Sequence, residues 1–279
     1  MAADALIRRA RPLLGTIVEI AVDPESTCAI EAGFAIIRHI HERMSFHDAG
    51  SDLARLRAMP AMAVCAVDPQ TLAVLRIAAD LHRQSNGLFD ITIGRALVRG
   101  GFLPRQGVSH LNHYCGTAAD IEIRGDGRIC LHRPVLIDLG GIAKGHAVDC
   151  AVAALQAAGA RRGIVNAGGD LRVFGDHAAA IEIRQADGQL SLPFRLRDAA
   201  IASSENRRNR RHRQGRIETP HIGPNRTGIA IDHTISVIAS TAIIADAMTK
   251  VAMVDTAIAN HILAHHDGHV VAPAQRLAA

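Results

Sequence analysis

The stretch from Val135 to Gly169 constrains the fold of this chain most. It reads VLIDLGGIAKGHAVDCAVAALQAAGARRGIVNAGG, in which a short apolar run ends at Asp138 and is followed by two glycines. Lys144 then precedes a segment with apolar residues at helical spacing, and a second apolar run, residues 163–167, is closed by two more glycines. The pattern predicts a strand, a glycine turn, a helix and a second strand.

This pattern suggests an anionic ligand. Paired glycines let the backbone approach a large ligand closely, and the N–H groups at a helix start favour anions such as phosphate. Such turns are also common in α/β proteins without a ligand there. Asp138 and Lys144 equally fit a surface ion pair.

Composition narrows the class of protein. The chain has 279 residues, of which 48% are hydrophobic and 21% charged, so it can bury a sizeable core as one large domain or two packed ones. Trp is absent and Tyr occurs once, which leaves few aromatic platforms for stacking bases. The formal charge of +4 is modest, and much of the excess lies between Arg207 and Arg216. We therefore expect no nucleic-acid partner.

The sequence also bears on location. No stretch approaches the roughly 18 to 20 consecutive apolar residues of a membrane span. The N-terminus lacks an uninterrupted apolar core with a cleavage site, and Cys28 does not lie in a lipid-attachment context. The five cysteines form no CxxC pair. A cytoplasmic protein is expected, although a protein trimmed of its leader would look the same.

Alternation and helical spacing predict several elements. A strand is expected from Gly15 to Val22, and a helix capped by Ser26 or Thr27 and running to about Met44. Further predicted elements are a short helix from Ser51 or Asp52, a helix over 71–85, an irregular segment over 99–127, a hairpin of 178–184 with 189–195, and a buried strand over 235–239.

Asp90 and the arginine run each allow two interpretations. Asp90 directly follows an aromatic residue just past a helix stop, so it fits a turn-stabilising residue or a ligand for a hydroxyl or amide. The run from Asn206 to Arg216 contains six arginines. It fits a mobile, solvated loop, or alternatively an anion-binding lid or a docking patch for an acidic partner.

The segment TAIIADAMTKVAMV predicts a helix that begins at Ser240 or Thr241 and carries an acid inside an apolar pattern. Asp246 and Lys250 are four residues apart, so both point to the same side. A buried Asp needs a cation partner, either a metal or that lysine. The C-terminal His261, His265, His266 and His269 lack a completing carboxylate or thiol pattern, and residues 261–279 are predicted to form an exposed histidine-containing tail.

Together these pieces resemble the ApbE family, the FAD:protein FMN transferases. The resemblance covers roughly residues 10–260, predicted as one domain. It rests on Gly15-Thr16 after Leu14, MSFHDAGSDLARL, SNGLFDITIG, IDLGGIAKGHAVD, VNAGGDLRVFG, HIGPNRTG and ADAMTK, in this order. The IDLGGIAKGxAVD block and the combination of GLFDIT with ADAMT are specific.

The resemblance implies an α+β fold, with mixed or antiparallel sheets flanked by helices and FAD in a cleft between sub-domains. It also implies a Mg²⁺-dependent reaction in which a threonine hydroxyl of an acceptor protein attacks the FMN phosphorus of FAD and AMP leaves. Such chemistry needs positive charge at the diphosphate, a base for the hydroxyl and a pocket that fixes the dinucleotide.

Site residues follow from the resemblance position by position. Gly141, through its carbonyl, and Asp246 match metal positions of the family. Lys250 stands where the family has a threonine metal ligand. The catalytic residues that the resemblance implies are Asp246 and His221, the candidate base. The FAD-binding positions are Leu14, His47, Leu88, Phe89, Asp90, Asp138, Lys144 and Ile222. His47 stands where the family often has a tyrosine that covers the flavin ring.

The departures from the family pattern concern charge. Lys250 could occupy the metal site and exclude Mg²⁺, or it could swing to the FAD phosphates and leave the metal to Asp246, carbonyls and water. The acid of the usual His-x-x-Asp-Pro turn is missing, and the usual Thr-Ser-Gly segment is Ala202-Ser203-Ser204. One hypothesis is that, if the metal is absent, the arginine run supplies the positive charge that the metal would have provided.

Two function classes follow. The first is FMN transfer from FAD to a protein threonine. The second is a protein that binds FAD without transferring it, or hydrolyses it slowly, because its metal site is altered.

Overall fold

The computed structural model describes residues 6–108, 110–213 and 215–271, with only the backbone described at position 216. Residue contacts divide the chain into two compact units. Among the described residues, the first comprises 6–38, 144–207 and 231–271, and the second lies within 39–143 and 208–230.

The strands are short and pair antiparallel throughout the described residues. They are β1 Ile7–Leu13, β2 Thr16–Val22, β3 Val64–Cys65, β4 Ile121–Ile123, β5 Ile129–Leu131, β6 Gly163–Ala167, β7 Asp170–Phe174, β8 Ala178–Ile181, β9 Phe194–Arg197, β10 Ala200–Ser204, β11 Arg211–Arg213, β12 Arg216–Glu218, β13 Ile235–Ala239 and β14 His269–Val270.

Seven α-helices lie in the described part of the chain. They are α1 Ile30–Met44, α2 Asp52–Ala58, α3 Pro69–Gln84, α4 Gly94–Gly100, α5 Ala143–Ala157, α6 Ala242–Ala252 and α7 Thr256–Leu263. None of the helices described here has the length and apolar character that a membrane crossing requires.

The first unit is built on a seven-stranded sheet in the order β1-β2-β6-β7-β10-β13-β14. The inner strands alternate or are buried on both faces, and Val18, Ile20, Val165 and Val237 have no exposed surface. A second hairpin, β8 with β9, packs with strands β7 and β10 in an apolar cluster that contains Leu171. This pattern of helices with antiparallel sheets confirms the α+β class.

A two-residue turn joins β1 to β2. Leu14 and Gly15 both have positive φ, 56° and 71°, the backbone that a tight hairpin with twisted strands requires. The predicted strand is confirmed from Thr16, whereas the arginine-rich β1 was not predicted because its side chains are mostly exposed.

Most predicted helices are confirmed. Ser51 caps α2 through its hydroxyl, which accepts a hydrogen bond from the backbone N–H of Ala54 at 3.0 Å. The first predicted helix begins as a 3-10 turn, Pro24–Ala29, before α1, so the predicted cap at Ser26 or Thr27 is wrong because both residues lie inside that turn. Helix α3 ends before Asn86 and Gly87, which both have positive φ. The predicted hairpin around Asp187-Gly188 is present, but its first strand is shorter than predicted and its second lies later in the chain, at Phe194–Arg197.

The prediction of a strand at residues 135–137 is wrong. These residues are buried, but they form single backbone hydrogen bonds instead of a ladder. Gly94 N–H donates to the Leu136 carbonyl at 3.1 Å and Asp138 N–H to the Ile91 carbonyl at 2.8 Å. An apolar run signals burial, and burial here comes from irregular pairing with the start of α4.

The second unit contains α2, α3, α4, the three-stranded sheet β3-β5-β4 and the hairpin β11–β12. The segment 99–127 was predicted to be irregular, yet it holds the end of α4 and β4. These elements are too short for sequence periodicity to reveal them.

The segment predicted as a C-terminal tail contains folded elements of the first unit. His261 lies in α7, and β14 pairs with β13 at the edge of the large sheet. Residues 272–279 of the predicted tail lie outside the described residues.

Candidate active site

The start of α5 passes very close to the start of α6. A Cβ on Gly145 would lie 2.2 Å from the carbonyl oxygen of Ala242, so only glycine fits at this position. Asp149, one turn further along α5, accepts hydrogen bonds from the backbone N–H groups of Ala242 at 3.0 Å and Ile243 at 2.8 Å. Thr241, at the N-cap position of α6, makes no side-chain hydrogen bond to the helix. The Asp149 carboxylate from α5 therefore caps the α6 N-terminus.

This close approach satisfies the buried carboxylate of Asp246. Asp246 has no exposed surface, and one of its carboxylate oxygens accepts the backbone N–H of Gly145 at 3.1 Å. The other accepts the ammonium of Lys250 at 2.6 Å. A buried charge therefore has two charge-stabilising partners, as its burial requires.

Lys250 is held by four oxygen atoms. Its Nζ lies 2.6 Å from Asp246 Oδ1 and 3.1 Å from the Asp246 carbonyl oxygen. The hydroxyl oxygens of Ser204 and Thr249 lie 3.0 and 2.9 Å away. Ser204 comes from β10, so the sheet contributes one of the four oxygens.

Lys144 completes this cluster at the start of α5. Its ammonium hydrogen-bonds the carboxylate of Asp170, a buried residue at the start of β7. Burial lowers the pKa of Lys144; the nearby Asp246 charge raises it and the Lys250 charge lowers it. Two ammonium groups and two carboxylates therefore form one charged cluster.

Burial alone would raise the pKa of Asp246. The charges of Lys144 and Lys250, the hydrogen bond from Lys250 and the N–H of Gly145 overcome this effect and hold that pKa below its ordinary value. Asp246 is therefore an anion at neutral pH.

These residues do not fit a Mg²⁺ ion as they stand. Mg²⁺ requires six oxygen ligands at about 2.0–2.1 Å. The oxygens that would supply such ligands already surround the Lys250 ammonium at hydrogen-bond distance. The Lys250 ammonium occupies the volume in which a metal ion would bind, and it already neutralises the negative charge of Asp246.

In the second unit, Asp90 stabilises a turn. Its Oδ1 accepts hydrogen bonds from the N–H and hydroxyl of Thr92, both at 2.7 Å. Its Oδ2 pairs with the guanidinium of Arg226 at 2.7 Å. Arg226 also donates to the Thr92 carbonyl at 2.8 Å. The turn-stabilising interpretation of Asp90 is confirmed, while its predicted FAD contact stays a prediction.

The other predicted residues of the second unit lie around this turn and in three loops. Phe89 is buried, and its N–H is bound by Ser85 Oγ at 2.9 Å. Asp138 accepts the Gly140 N–H at 3.2 Å. The remaining predicted positions lie as follows: His47 is exposed, Leu88, Gly141, His221 and Ile222 are half-buried, and Leu14, in the first unit, is half-buried in the β1–β2 turn.

The His221 segment is a folded turn. The His221 carbonyl accepts the Ile229 N–H at 2.8 Å and the Thr219 hydroxyl at 2.9 Å. Ile222 pairs with Gly228 in an isolated bridge. The backbone of this turn is thus fixed on both sides of the candidate base.

A cavity of about 320 Å³ lies beside the Asp90–Arg226 pair. Its walls carry three guanidinium groups, from Arg95, Arg99 and Arg226, together with the ring of Tyr114. Sequence reasoning did not single out these arginines, although Arg226 lies inside the HIGPNRTG motif.

Part of the arginine run, Arg211–Arg213, forms strand β11 of a hairpin with β12, so the prediction of a loop is wrong for these residues. Arg211 on β11 donates to the Gly101 carbonyl at 2.5 Å and lies 4.7 Å above the Phe102 ring. Arg213 donates to the Arg99 carbonyl at 2.9 Å. Both side chains remain exposed, so the solvated character of the run is confirmed. Gln214 and the side chain of Arg216 lie outside the description.

A cavity of about 370 Å³ opens on this hairpin. Arginines 208, 210 and 211 line it together with Phe102 and Pro220. A docking or lid role for the run stays a prediction.

One other group of metal-ligand type occurs among the described residues. Glu122, Cys130 and His132 on and beside the β4–β5 hairpin offer ligand atoms within 4.8 Å of one another. His132 Nε2 lies 3.2 Å from Glu122 Oε2, so a direct contact between two exposed side chains accounts for the approach.

The structure brings together three of the sequence-predicted residues: Lys144, Asp246 and Lys250. It adds Asp170 and Ser204, which sequence reasoning missed as cluster members. Asp170 follows the VNAGG motif directly and Ser204 stands in the altered Ala-Ser-Ser segment. These positions were visible, but their partners were not, since Lys144 and Asp170 are 26 residues apart and Ser204 and Lys250 are 46 apart.

A sequence model of the ApbE family matches residues 14–272. The chain belongs to the ApbE family. The match covers the turn at Leu14, both lysines of the charged cluster and β14, so the family fold includes all of the elements that position the cluster.

Curated relatives agree with this membership. An FAD:protein FMN transferase of Rhodobacter capsulatus is 36% identical over 122 residues, which cover 40% of this chain and 23% of that protein. Another FAD:protein FMN transferase, of Vibrio cholerae, is 26% identical over 222 residues, 72% of this chain and 64% of that protein. The matched parts thus span about a quarter and just under two thirds of these relatives.

A solved ApbE protein of Thermotoga maritima has the same fold, with a TM-score of 0.81 and 23% identity over 95% of this chain and 93% of that one.

Proposed function

We propose that this ApbE family member transfers FMN from FAD to a threonine hydroxyl of an acceptor protein and releases AMP. The observation that carries the proposal is the charged cluster at the start of α5, which contains Lys144 and Asp246. The sequence resemblance matches these two residues to FAD and metal positions of the family. Two curated relatives named FAD:protein FMN transferase support it.

The reaction exchanges one phosphoester bond for another. The threonine oxygen forms a bond to the FMN phosphorus, the bond from that phosphorus to the bridging diphosphate oxygen breaks, and AMP leaves with the bond electrons. The hydroxyl proton passes to a base, for which we propose His221. Such in-line displacement depends chiefly on position and on positive charge near the phosphates.

The FAD contacts proposed here follow the positions that the family resemblance assigns. Lys144 offers an ammonium beside the first turn of α5, where backbone N–H groups favour anions. The remaining contacts are proposed for Leu14, His47, Leu88, Phe89, Asp90, Asp138 and Ile222. Asp246 holds Gly145 and Lys250 in place at the phosphate side of this site and acts as a positioning residue.

The decisive experiment incubates the full chain with FAD and a flavin-acceptor domain, with and without Mg²⁺. AMP is measured by chromatography and an FMN adduct on the acceptor by mass spectrometry. We expect both products in equal amounts, and no adduct on an acceptor whose target threonine is replaced by valine.

His221→Ala should abolish adduct formation while FAD still binds. His233→Ala, an exposed histidine outside the proposed site, is the matched control and should transfer FMN like the unaltered protein. Equal activity of the two variants would exclude His221 as the base.

The second candidate function is FAD binding without transfer, or slow hydrolysis of FAD. The observation that favours it is the contact of the Lys250 ammonium with Asp246 at 2.6 Å, at a position that the resemblance matches to a metal ligand of the family. Tight FAD binding with AMP release but no adduct on a proven acceptor would identify the hydrolase. Binding with neither product would identify the FAD-binding protein.

A further inference from the structure

We infer that the Lys250 ammonium is a built-in replacement for the divalent cation at Asp246, so that this site binds no Mg²⁺ with or without FAD. The inference concerns the metal requirement of the proposed function and rests on that function only for the choice of FAD as ligand.

The first argument is the donor set. The ammonium is surrounded by a carboxylate oxygen, a carbonyl oxygen and two hydroxyl oxygens, all within 3.1 Å. These are the hard oxygen ligands that Mg²⁺ and Ca²⁺ prefer. The Lys250 ammonium is therefore surrounded by oxygen atoms of the types that commonly bind a divalent metal ion.

The second argument is hydrogen-bond accounting. An ammonium has three donors and no acceptor, and four oxygens share them here. The Thr249 hydroxyl lies 2.8 Å from the Ser204 hydroxyl and 2.7 Å from the Asp246 carbonyl oxygen. The cluster is internally satisfied, and a cation entering it would have to displace the ammonium.

The third argument is charge. A dication within a few ångströms of the ammonium would be repelled by it, and Asp246 is already neutralised by two lysines. If Lys250 moved away to the FAD phosphates, the fully buried carboxylate of Asp246 would lose the ammonium that hydrogen-bonds it. Such an unpaired buried charge is strongly unfavourable, which argues against a lysine that leaves its place to a metal.

The test measures metal binding directly. Full-length protein is titrated with Mn²⁺, a Mg²⁺ analogue, and free Mn²⁺ is followed by electron paramagnetic resonance, with and without FAD. The unaltered protein should bind no Mn²⁺ at this site in either case.

Lys250→Thr should create a metal site, because it removes the ammonium and adds a hydroxyl oxygen. We expect Mn²⁺ affinity to rise roughly a hundredfold or more, since a like charge is removed from the first ligand shell. Lys250→Met is the matched control: it also removes the charge but fills the space with an apolar stem and a soft sulfur, so it should gain no Mn²⁺ site.

Two outcomes overturn the inference. One is a Mn²⁺ site in the unaltered protein, with or without FAD, that disappears in Asp246→Asn. The other is a K250T protein with native circular dichroism that binds no more Mn²⁺ than K250M. If K250T does not fold, the titration of the unaltered protein decides alone.

The result is separable from that of the proposed function. Absence of AMP and adduct under all conditions would refute FMN transfer and leave the metal-binding result standing. Transfer that requires Mg²⁺ at this site would support the function and refute the built-in cation.

Discussion

The charged cluster at Asp246 and the arginine hairpin β11–β12 are both cationic, but they hold their charges differently. Lys250 has only 20% of its side chain exposed and is surrounded by four oxygens, one from a fully buried carboxylate. Arg211 and Arg213 are exposed and are fixed by backbone carbonyls and one aromatic ring. Buried charges are weakly screened and exposed ones strongly, so the number of cations in a segment is a poor guide to their energetic effect.

The largest effect is expected from Asp246→Ala. It leaves the Lys250 ammonium without its carboxylate partner and removes a nearby opposite charge from Lys144. The free energy of unfolding should therefore fall by about 3–5 kcal/mol. Urea denaturation measures it. The loss should persist at high salt, and Glu42→Ala, an exposed acid on α1, should change stability little. A loss that disappears at high salt would mean that the cluster is no more buried than the hairpin.

Gly145→Ala tests the geometry behind the cluster. The added Cβ would lie 2.2 Å from the Ala242 carbonyl oxygen, and the resulting separation of α5 from α6 should cost about 2–3 kcal/mol. Gly125→Ala is the matched control, because a Cβ there meets nothing within 4 Å. Equal stability of the two variants in urea would show that the close approach is not needed.

Asp120 gives an ion pair of intermediate exposure for comparison. Its hydrogen bonds with Arg133 and then with the Thr117 N–H lower its pKa from 3.8 to about 2. The folded state therefore gains stability above pH 3.8 that it loses as the pH falls through about 2. Because Arg133 is 56% exposed, Asp120→Asn should cost only about 1 kcal/mol at pH 7.

The difference between the unaltered protein and D120N should shrink as the pH is lowered from neutrality to about 2 in urea titrations. Asp80→Asn, which breaks an exposed Asp80–Arg83 pair, should lie within about 0.5 kcal/mol of the unaltered protein throughout. A D120N difference that is independent of pH would contradict the assigned cause of the shift.

The smallest effect is expected from the arginines that directly precede the hairpin in the chain. Arg208→Gln with Arg210→Gln should weaken FAD binding by about threefold at low salt and not at high salt, since exposed charges act at long range and are screened. Fluorescence titration of FAD measures it, and Arg124→Gln with Arg128→Gln controls for net charge. Unchanged affinity at low salt would remove the hypothesis that these arginines replace the charge of a metal.

Sequence patterns predicted the long elements well and the short ones poorly. Helix α3 was predicted because its apolar residues recur at helical spacing over 16 residues, and strand β13 because its five residues form a mostly apolar run. The buried run 135–137 was mistaken for a strand, because an apolar run reports burial and not the partner that provides it. β4, β5 and β11 have only three residues each, which is too few for a period to appear.

The sequence by itself determined the family and the local spacing of the site. Asp246 and Lys250 are four residues apart on one helix, so their pairing follows from helix geometry alone. Only the tertiary structure decided what else meets them, because Ser204 comes from β10 and the Gly145 N–H lies 101 residues from Asp246 in the sequence. The order of strands in the sheet and the glycine contact between α5 and α6 set these distances, and helical periodicity carries no information about either.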